Sequence, residues 1–423
     1  MSDNVISIDQ LTFRYSDQED RDALSNISLD INNGQFIVIM GASGAGKSTL
    51  CFTLNGLIPI QIKGKYSGNV LVKGIATKGK KISDFADKVG IVFQDFETQL
   101  FSTNVELEMA FGPENLAVER EEIVRRVIES LNMVGLQGFN GREPSTLSGG
   151  QKQRLAIASV LALQPEILCM DEPTTDLDPI GKNGVFLIAK KLRGQNMTII
   201  IAEHETEETL YADKIVIMDE GKIVASGSPR EILTQVDFMN QKGIMPLQTA
   251  EFFKDKLPAA ELPLEIDEAI ASWKKLGLKV NEEKYQTLVQ EDNHRLNSYG
   301  EVLIEVKDLA HIYDTGLTAL KDADLDIRKR EFLAVVGQNG SGKTTLVKHL
   351  NGLLLPTQGF VKIKGKDTRN QSLLEISGSV GYVFQNPDHQ IFEETVFAEV
   401  AFGPRLHGQN EEQIAENVKQ ALA

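Results

Sequence analysis

Only two cysteines occur among the 423 residues of this sequence. Cys51 falls in a segment with a helical pattern of apolar residues, and Cys169 falls in a short apolar run that is typical of a buried strand. So few thiols argue against a disulfide-rich secreted domain and against a cysteine-based metal site. We therefore expect both cysteines to be reduced core residues of a cytosolic protein.

Long apolar runs are missing as well. No stretch approaches the roughly 18 apolar residues that a membrane-spanning helix needs. Residues 1–4 are polar, unlike the start of a signal peptide. The sequence therefore predicts a cytosolic protein that reaches a membrane only where a partner protein holds it.

An excess of basic residues is also absent. The chain has 44 lysines and arginines against 60 acidic residues, which gives a formal net charge of −16. This charge disfavours a surface that follows nucleic acid, and an anionic membrane leaflet would repel it. We expect no nucleic-acid partner, and we expect any membrane docking to use protein contacts. The composition is otherwise that of a globular protein with two or three domains.

A glycine-rich loop with the spacing G-x-x-x-x-G-K-[ST] is typical of phosphate binding. It follows an apolar run over residues 36–40 that predicts a buried strand, and residues 48–57 after it have a helical pattern. This order disfavours a mere turn without a ligand. Its glycines let backbone N–H groups face the phosphates, Lys47 supplies a cation, and the Ser48 hydroxyl can bind Mg²⁺. The loop consists of Gly41, Ala42, Ser43, Gly44, Ala45, Gly46, Lys47, Ser48 and Thr49.

The same loop returns later in the chain, with Lys343 standing 296 residues after Lys47. It follows a second apolar run, residues 332–336, which we predict to be a strand. The match extends to the Phe-Gly-Pro sequences at 111–113 and 402–404. The chain therefore contains a duplicated domain. The second loop consists of Gly337, Gln338, Asn339, Gly340, Ser341, Gly342, Lys343, Thr344 and Thr345.

A tyrosine precedes each loop at a similar distance. Tyr15 lies 26 residues before Gly41, and Tyr313 lies 24 residues before Gly337. An aromatic ring at this position can stack on adenine. The alternative is a surface tyrosine on an edge strand, which the repeat disfavours.

A glutamine also ends a predicted strand in each half. Gln94 follows residues 89–93, and Gln385 follows residues 381–384. A glutamine at such a strand end can reach a metal ion and an incoming partner. A single glutamine is more often a solvated residue, but the repeat favours a functional role.

Residues 104–135 have a helical pattern that indicates an inserted helical subdomain. Another apolar helix begins after it, at Ser148, Gly149, Gly150 and Gln151. Ser148 is a natural N-cap, and the two glycines leave backbone N–H groups open to an anion. Linkers contain such glycines too, but the position between a phosphate loop and an acidic strand end favours a site.

Two carboxylates, Asp171 and Glu172, follow an apolar strand at residues 167–170. A strand parallel to the one before the first loop would bring Asp171 to magnesium and Glu172 to a water in line with the γ-phosphate. The next predicted strand, residues 198–202, leads to His204. A lone histidine is usually structural, but this one reaches the same sheet edge, so we predict a hydrogen bond to the γ-phosphate.

Together, residues 5–228 resemble a complete nucleotide-binding domain of the ABC ATPase family. The resemblance implies that both loops are Walker A loops that bind ATP, with Tyr15 and Tyr313 stacking on adenine and with Mg²⁺ as the second cofactor. It implies that Gln94 senses a transmembrane partner. By this resemblance the catalytic residues are Glu172, His204 and Gln94. The magnesium ligands are Ser48, Gln94, Asp171, Thr344 and Gln385. The signature that faces the opposite ATP is Ser148, Gly149, Gly150 and Gln151, and Asp178 lies in the loop that joins the two sites.

The resemblance also implies a fold and a domain organisation. We expect an α/β P-loop fold with a mostly parallel core sheet, an antiparallel β subdomain and an inserted helical subdomain, all duplicated. The first domain takes residues 1–240, a helical linker takes residues 241–300, and the second domain takes residues 301–423. In the linker, the apolar residues Leu264, Ala269, Ile270, Trp273 and Leu276 fit one face of a helix.

A narrower resemblance lies after the two glutamines. Residues 385–392 with 400–404 are similar to the ATPases of energy-coupling-factor importers for vitamins and cobalt or nickel ions, and residues 94–101 with 110–115 are a looser version. Tandem ATPases of this group include those assigned to thiamine or its hydroxymethylpyrimidine precursor. The resemblance implies an ATPase that drives import of a small molecule. Its partners would be an integral membrane coupling subunit and a substrate-binding membrane subunit, at the cytoplasmic face of the cell membrane.

The second domain carries fewer motifs than the first. In the resembling transporters, each ATP lies between the Walker A loop of one ATPase domain and the signature of another. The spacing between Gln94 and Gln385 places a second signature near residue 439, whereas the sequence runs to Ala423. We expect either that the sequence is a fragment of a longer protein or that the first domain pairs with another chain.

Three other functions are weighed against this one. The runner-up is the tandem ATPase of a sugar or peptide importer fed by a binding protein. A soluble ABC ATPase that acts on ribosomes or DNA is disfavoured by the net charge and by residues 251–300, which hold 7 basic and 10 acidic residues. An ATP sensor without hydrolysis is disfavoured by Glu172 and His204.

Overall fold

The protein is described by a computed structural model, which covers residues 4–16, 21–175 and 177–423. It divides into two compact units, Met1–Lys279 and Val280–Ala423. The strands of the first unit are β1 (Asn4–Tyr15), β2 (Leu24–Asn32), β3 (Phe36–Met40), β4 (Gly64–Val72), β5 (Ile75–Ala76), β6 (Val89–Val92), β7 (Ile167–Asp171), β8 (Thr198–Glu203), β9 (Lys214–Asp219) and β10 (Lys222–Gly227). Its helices are α1 (Lys47–Leu54), α2 (Leu57–Ile60), α3 (Val105–Asn115), α4 (Arg120–Met133), α5 (Gly149–Leu161), α6 (Pro179–Arg193), α7 (Pro229–Leu233), α8 (Val236–Gln241), α9 (Gln248–Phe253) and α10 (Ile266–Lys275).

The core sheet of the first unit has the strand order β10-β9-β3-β8-β7-β6. All neighbours are parallel except β10 and β9. Strands β3, β7 and β8 are buried along their whole length, as expected of apolar strands covered on both faces. Because they are parallel, their carboxyl ends meet at one edge of the sheet, with Met40 opposite Glu203 and Asp171 opposite Ala202.

Two apolar cores hold this sheet. One lies against helices α3 to α6 and includes Phe36, Leu155 and Phe186. The other includes Phe13 and Ile39 and joins the core sheet to an antiparallel sheet with the order β2-β1-β4-β5. Each fully buried aliphatic or aromatic side chain contributes about 1.5–3 kcal/mol. The expected α/β fold with a parallel core sheet, an antiparallel subdomain and a helical subdomain is confirmed.

The expected apolar face after residue 240 is only partly buried. Leu264 is buried, although it lies before α10 begins, and Ala269 and Trp273 pack against the core. Ile270 and Leu276 are exposed. Ile270 lines an apolar groove with Phe252 and Trp273, and Leu276 follows the last residue of α10.

The second unit contains β11 (Val302–Ile312), β12 (Thr318–Arg328), β13 (Gln358–Ile363) and β14 (Lys366–Asp367), which form an antiparallel sheet. Its helices are α11 (Glu282–Asn297), α12 (Lys343–Leu350), α13 (Leu373–Ser377), α14 (Val396–Leu406) and α15 (Glu411–Leu422). This sheet repeats the antiparallel subdomain of the first unit. Among the described residues, the helices are too short or too polar to cross a membrane.

Two predicted strands of the second unit are wrong. Residues 332–336 and 381–384 form no strand, and Phe332 and Val336 are 86% and 88% exposed. In the first unit, β3 is hydrogen-bonded between β8 and β9, and β6 is hydrogen-bonded to β7. Among the described residues of the second unit, no parallel strand pairs with these segments, so their backbone N–H and C=O groups make no inter-strand hydrogen bonds.

Candidate functional site

The first phosphate loop connects β3 to α1 in a shape that requires glycine at two positions. Gly46 has a φ of 100°, and a Cβ atom there would lie 2.6 Å from the carbonyl oxygen of Ala23. At Gly41, a Cβ atom would lie 2.3 Å from the carbonyl oxygen of Met218. Other side chains are therefore excluded at both positions, which keeps the loop backbone open at the start of the helix.

Lys47 begins α1 and points back along the loop. Its side chain is 4% exposed, and its Nζ atom donates hydrogen bonds to the carbonyl oxygens of Gly41 at 2.8 Å and Ala42 at 3.3 Å. The same atom lies 3.1 Å from Oε1 of Glu172. A buried ammonium group needs such partners, and they fix its position at the mouth of the loop.

The Ser48 hydroxyl donates a hydrogen bond to Oδ1 of Asp171 at 3.0 Å. Asp171 is almost fully buried at the end of β7, and this burial raises the pKa of its carboxyl group, while the Ser48 hydrogen bond and Lys47 lower it. Hydroxyl and carboxylate oxygens are the ligands that Mg²⁺ prefers, and that ion usually takes one or two protein carboxylates plus phosphate oxygens. The residues present therefore fit a magnesium ion bound together with a nucleotide.

Glu172 is held from two sides at the sheet edge. Gln94 donates a hydrogen bond from Nε2 to Oε2 of Glu172 at 2.9 Å, and Lys47 contacts the other oxygen. The backbone of Glu172 has a φ of 44°, a value uncommon outside glycine, and its N–H donates to the carbonyl oxygen of Ala202 at 2.9 Å. Strained residues of this kind cluster at functional sites, where the surrounding structure fixes them.

A second buried carboxylate, Glu203, lies at the end of β8 and was not assigned a role from the sequence. It accepts hydrogen bonds from the Thr174 hydroxyl at 2.6 Å and from the His204 backbone N–H at 2.9 Å. Burial raises its pKa, although both hydrogen bonds oppose the shift. Nδ1 of His204 lies 3.3 Å from the same carboxylate, and the ring is 49% exposed. An apolar strand that ends in a carboxylate, as before Asp171, was the signal in the sequence.

Tyr15 stands beside the loop at the end of β1. Its hydroxyl shares a hydrogen bond with the Thr49 hydroxyl at 3.0 Å, and its ring lies edge-on to Phe13 with centroids 5.0 Å apart. A cleft of about 320 Å³ runs from this ring to Glu172. Predicted site residues that line it are Tyr15, Ser43, Gly44, Ala45, Gly46, Lys47, Ser48, Thr49, Gln94 and Glu172.

The signature residues and Asp178 do not line this cleft. Ser148 caps α5 in a reciprocal arrangement, in which its backbone N–H donates to Oε1 of Gln151 at 3.0 Å and the Gln151 N–H donates back to its hydroxyl. Asp178 caps α6 and accepts a hydrogen bond from Gly181 N–H at 2.7 Å. The starts of both helices therefore lie outside the cleft beside the phosphate loop.

The second loop repeats the backbone of the first. Gly342 has a φ of 92°, and Nζ of Lys343 donates to the carbonyl oxygens of Gly337 at 2.7 Å and Gln338 at 2.8 Å. The Tyr313 hydroxyl shares a hydrogen bond with Thr345 at 3.0 Å. Within the described part of this unit, Lys343 makes no ion pair, because no strand brings it a carboxylate. Thr344 and Gln385 are therefore not brought to a common metal site.

Known proteins match both loop regions. The family model described as ABC transporter matches residues 24–175 and residues 320–423, which is more than half of the chain. The chain belongs to the ABC transporter family. It is an ABC transporter ATPase with two cassette segments, and the expectation that it binds ATP is confirmed.

Relatives of this ABC transporter ATPase match it over nearly its whole length. An ABC transporter ATP-binding protein of Caldanaerobacter subterraneus subsp. tengcongensis is 55% identical over 100% of this chain and 75% of its own. One of Methanosarcina acetivorans is 40% identical over 99% of this chain and 70% of its own. The structure of cbiO1 from Clostridium perfringens, part of the ABC transporter complex cbiONQ, matches with a TM-score of 0.52 and 32% identity, over 60% of this chain and 100% of cbiO1.

Proposed function

We propose that this ABC transporter ATPase drives an importer of the energy-coupling-factor type, which takes up a vitamin, a vitamin precursor or a metal ion. The observation that carries the proposal is that the loop and helix after Gln94 make the same contacts as the loop and helix after Gln385, with a glutamate that holds the loop beside a pair of packed phenylalanines. The similarity to cbiO1, a part of a transporter complex, supports it. The site residues support hydrolysis as the source of energy.

In the proposed reaction, Lys47 and the loop N–H groups bind the phosphates of ATP, and Tyr15 supports the adenine. Ser48 and Asp171 would hold Mg²⁺, which neutralises phosphate charge when bound. Glu172 orients a water molecule and accepts its proton, because its carboxylate already lies at the loop mouth. Gln94 links Glu172 to the loop that follows, so movement there changes the position of the base.

His204 is proposed to contact the γ-phosphate, and Ser148 to cap the ATP of a facing cassette. The backbone N–H groups of Gly149 and Gly150, at the start of α5, suit an anion from outside the unit. The proposed cassettes are residues 1–240 and 301–423, with residues 241–300 as a linker. Pairing takes place within one chain or between chains.

The surface after Gln94 suits a helix of a membrane coupling subunit. Phe101 and Phe111 are exposed and pack edge-on with ring centroids 4.7 Å apart. Phe101 also lines a cleft of about 370 Å³. Glu108 holds the loop by accepting hydrogen bonds from the N–H groups of Phe101 at 3.1 Å and Ser102 at 2.8 Å. A fixed pair of exposed aromatic rings is typical of a protein interface.

The second unit repeats this surface. Phe392 and Phe402 pack edge-on at 4.8 Å, and Glu399 accepts hydrogen bonds from the N–H groups of Phe392 at 3.1 Å and Glu393 at 2.9 Å. The same carboxylate arrangement therefore presents the same aromatic pair in both halves, although Glu108 is buried and Glu399 is only partly buried. Two copies of one surface suit a transporter with two coupling contacts.

Affinity purification from detergent-solubilised membranes, followed by mass spectrometry, tests the proposal. We expect an integral membrane coupling subunit and a small substrate-binding membrane protein to be recovered. Phe101→Ala should reduce their recovery at least several-fold, because it removes a central aromatic contact. Phe252→Ala, which alters an exposed ring elsewhere, is the matched control. Recovery of a sugar or peptide permease instead would favour the runner-up, and recovery of ribosomal proteins alone would contradict transport.

A further inference from the structure

The second unit contains a pair of buried histidines beneath Tyr313. His311 lies on β11 and is 8% exposed, and His349 lies on α12 and is fully buried. The ring of His311 packs edge-on against Tyr313, with centroids 4.7 Å apart. The two imidazole rings are themselves 4.7 Å apart.

Hydrogen bonds join this pair to the helix after the phosphate loop. Nδ1 of His349 lies 2.7 Å from the carbonyl oxygen of Thr345, which only accepts, so this nitrogen carries a proton. Nε2 of His349 lies 3.2 Å from Nδ1 of His311. In neutral His349 that Nε2 is an acceptor, so Nδ1 of His311 donates. Since Thr345 also bonds to the Tyr313 hydroxyl, the contacts form a closed ring of four residues.

The first unit builds the same place without histidine. Phe13 packs edge-on against Tyr15 in the position of His311, and Thr53 stands on α1 in the position of His349. The Thr53 hydroxyl donates within its own helix, to the carbonyl oxygen of Leu50 at 2.7 Å. The Phe13 ring has no hydrogen-bonding group, so packing alone holds it.

The surroundings of the pair contain little charge. Burial lowers the pKa of His349, the charge of His311 adds to this effect, and the carbonyl oxygens of Thr345 and Leu355 oppose it. On β12, the residue opposite His311 is Leu320, and the charged Lys321 next to it is exposed. On α12, Lys343 is bonded to loop carbonyls, and Lys348 is partly exposed. On β11 and β13, Glu305 and Lys362 pair with each other. No carboxylate among these groups balances a proton on the pair.

We propose that His311 and His349 are positioning residues of the second nucleotide site, which hold Tyr313 against α12 through their contacts while His349 is neutral. The inference rests on the proposed role of Tyr313 as the adenine-stacking residue. A buried imidazolium without a counter-charge is costly, so acid favours a form in which the pair opens to water. Neutral conditions therefore keep the second site ready for nucleotide, and acid weakens it. The first site, built on Phe13, lacks this response.

The test uses the whole chain and the photoreactive nucleotide 2-azido-ATP, which labels residues beside bound adenine. Peptides that contain Tyr15 and Tyr313 report the two sites separately. Between about pH 8 and about pH 5, we expect label on the Tyr313 peptide to fall. The fall should be about tenfold for each unit by which the pKa of His349 differs between the packed and the opened form. Label on the Tyr15 peptide should change far less.

Variants that copy the first unit separate positioning from mere packing. His349→Thr leaves the Nδ1 proton of His311 without its acceptor, so label on the Tyr313 peptide should fall at every pH. The further change His311→Phe reproduces the Phe13 and Thr53 arrangement, and it should restore the label and remove its pH dependence. Circular dichroism at each pH checks folding.

Three results would overturn the inference: identical pH profiles for the wild type and the double variant, parallel loss of label at both peptides, or label on the Tyr15 peptide alone at every pH. The proposed ATP site fails separately, if the Tyr15 peptide takes no label at neutral pH.

Discussion

Individual side chains at the sheet edge determine the proposed chemistry. Glu172 is held by Lys47 and Gln94, with both of its carboxylate oxygens occupied by donors. Glu172→Gln keeps the size of the side chain but removes its ability to accept a proton. We expect ATP turnover in the assembled transporter to fall by about 10²–10⁴-fold, while ATP affinity stays close to that of the wild type.

The measurement is steady-state ATP hydrolysis together with equilibrium nucleotide binding. Glu129→Gln is the control. Glu129 is an exposed carboxylate on α4 that pairs with Arg125 and does not line the cleft beside the phosphate loop. It should leave both quantities unchanged. Full hydrolysis by Glu172→Gln would show that another group activates the water.

The residues that gather here illustrate what the sequence can and cannot reveal. Ser48, Asp171 and Glu172 were expected to meet because parallel strands end at one edge, and the structure places them together. Their catalytic roles stay predictions. Glu203 was missed as a buried acceptor because its partner, the Thr174 hydroxyl, is distant in sequence and becomes a neighbour only through the sheet register.

At the scale of elements, the turn from β3 into α1 has a backbone that requires glycine. Gly46→Ala places a Cβ atom 2.6 Å from the Ala23 carbonyl oxygen at a φ of 100°. We expect a loss of about 1–3 kcal/mol in the free energy of unfolding, and weaker nucleotide binding because the loop must shift. Chemical denaturation monitored by circular dichroism measures the first effect.

Gly184 in α6 supplies the matched control for that substitution. A Cβ atom there meets nothing within 4 Å, and the helix interior favours alanine over glycine. Gly184→Ala should therefore be neutral or should stabilise the protein by up to about 1 kcal/mol. Equal stability of the Gly46→Ala and Gly184→Ala variants would show that the loop is not strained.

Strand prediction succeeded or failed according to the neighbours that each segment finds. The apolar runs at 36–40 and 332–336 have the same character, yet only the first is a strand. Periodicity reports which face of a segment is apolar, but a strand forms only where a ladder of hydrogen bonds is available. The antiparallel sheet of the second unit formed as the duplication implies, because β11 finds both of its partners, β12 and β13, within the described residues.

At the scale of the whole molecule, the two phosphate loops follow segments with different hydrogen bonding. The first loop follows strand β3, and the second follows residues 332–336, which form no strand. Hydrogen exchange followed by mass spectrometry should reveal this difference in the 423-residue chain. Amides of β3 should exchange slowly, because the strand is fully buried between two neighbours. Amides of residues 332–336 should exchange quickly, because the described residues give them no ladder and leave Phe332 exposed.

Strand β11 makes this comparison decisive, because it belongs to the second unit and is hydrogen-bonded on both sides by β12 and β13. Slow exchange in β11 with fast exchange at 332–336 would locate the difference in the missing ladder. Fast exchange in both would mean that the second unit as a whole opens readily. Protection at 332–336 as strong as in β3 would contradict the argument, since those amides would then have found hydrogen-bond partners that the described residues do not supply.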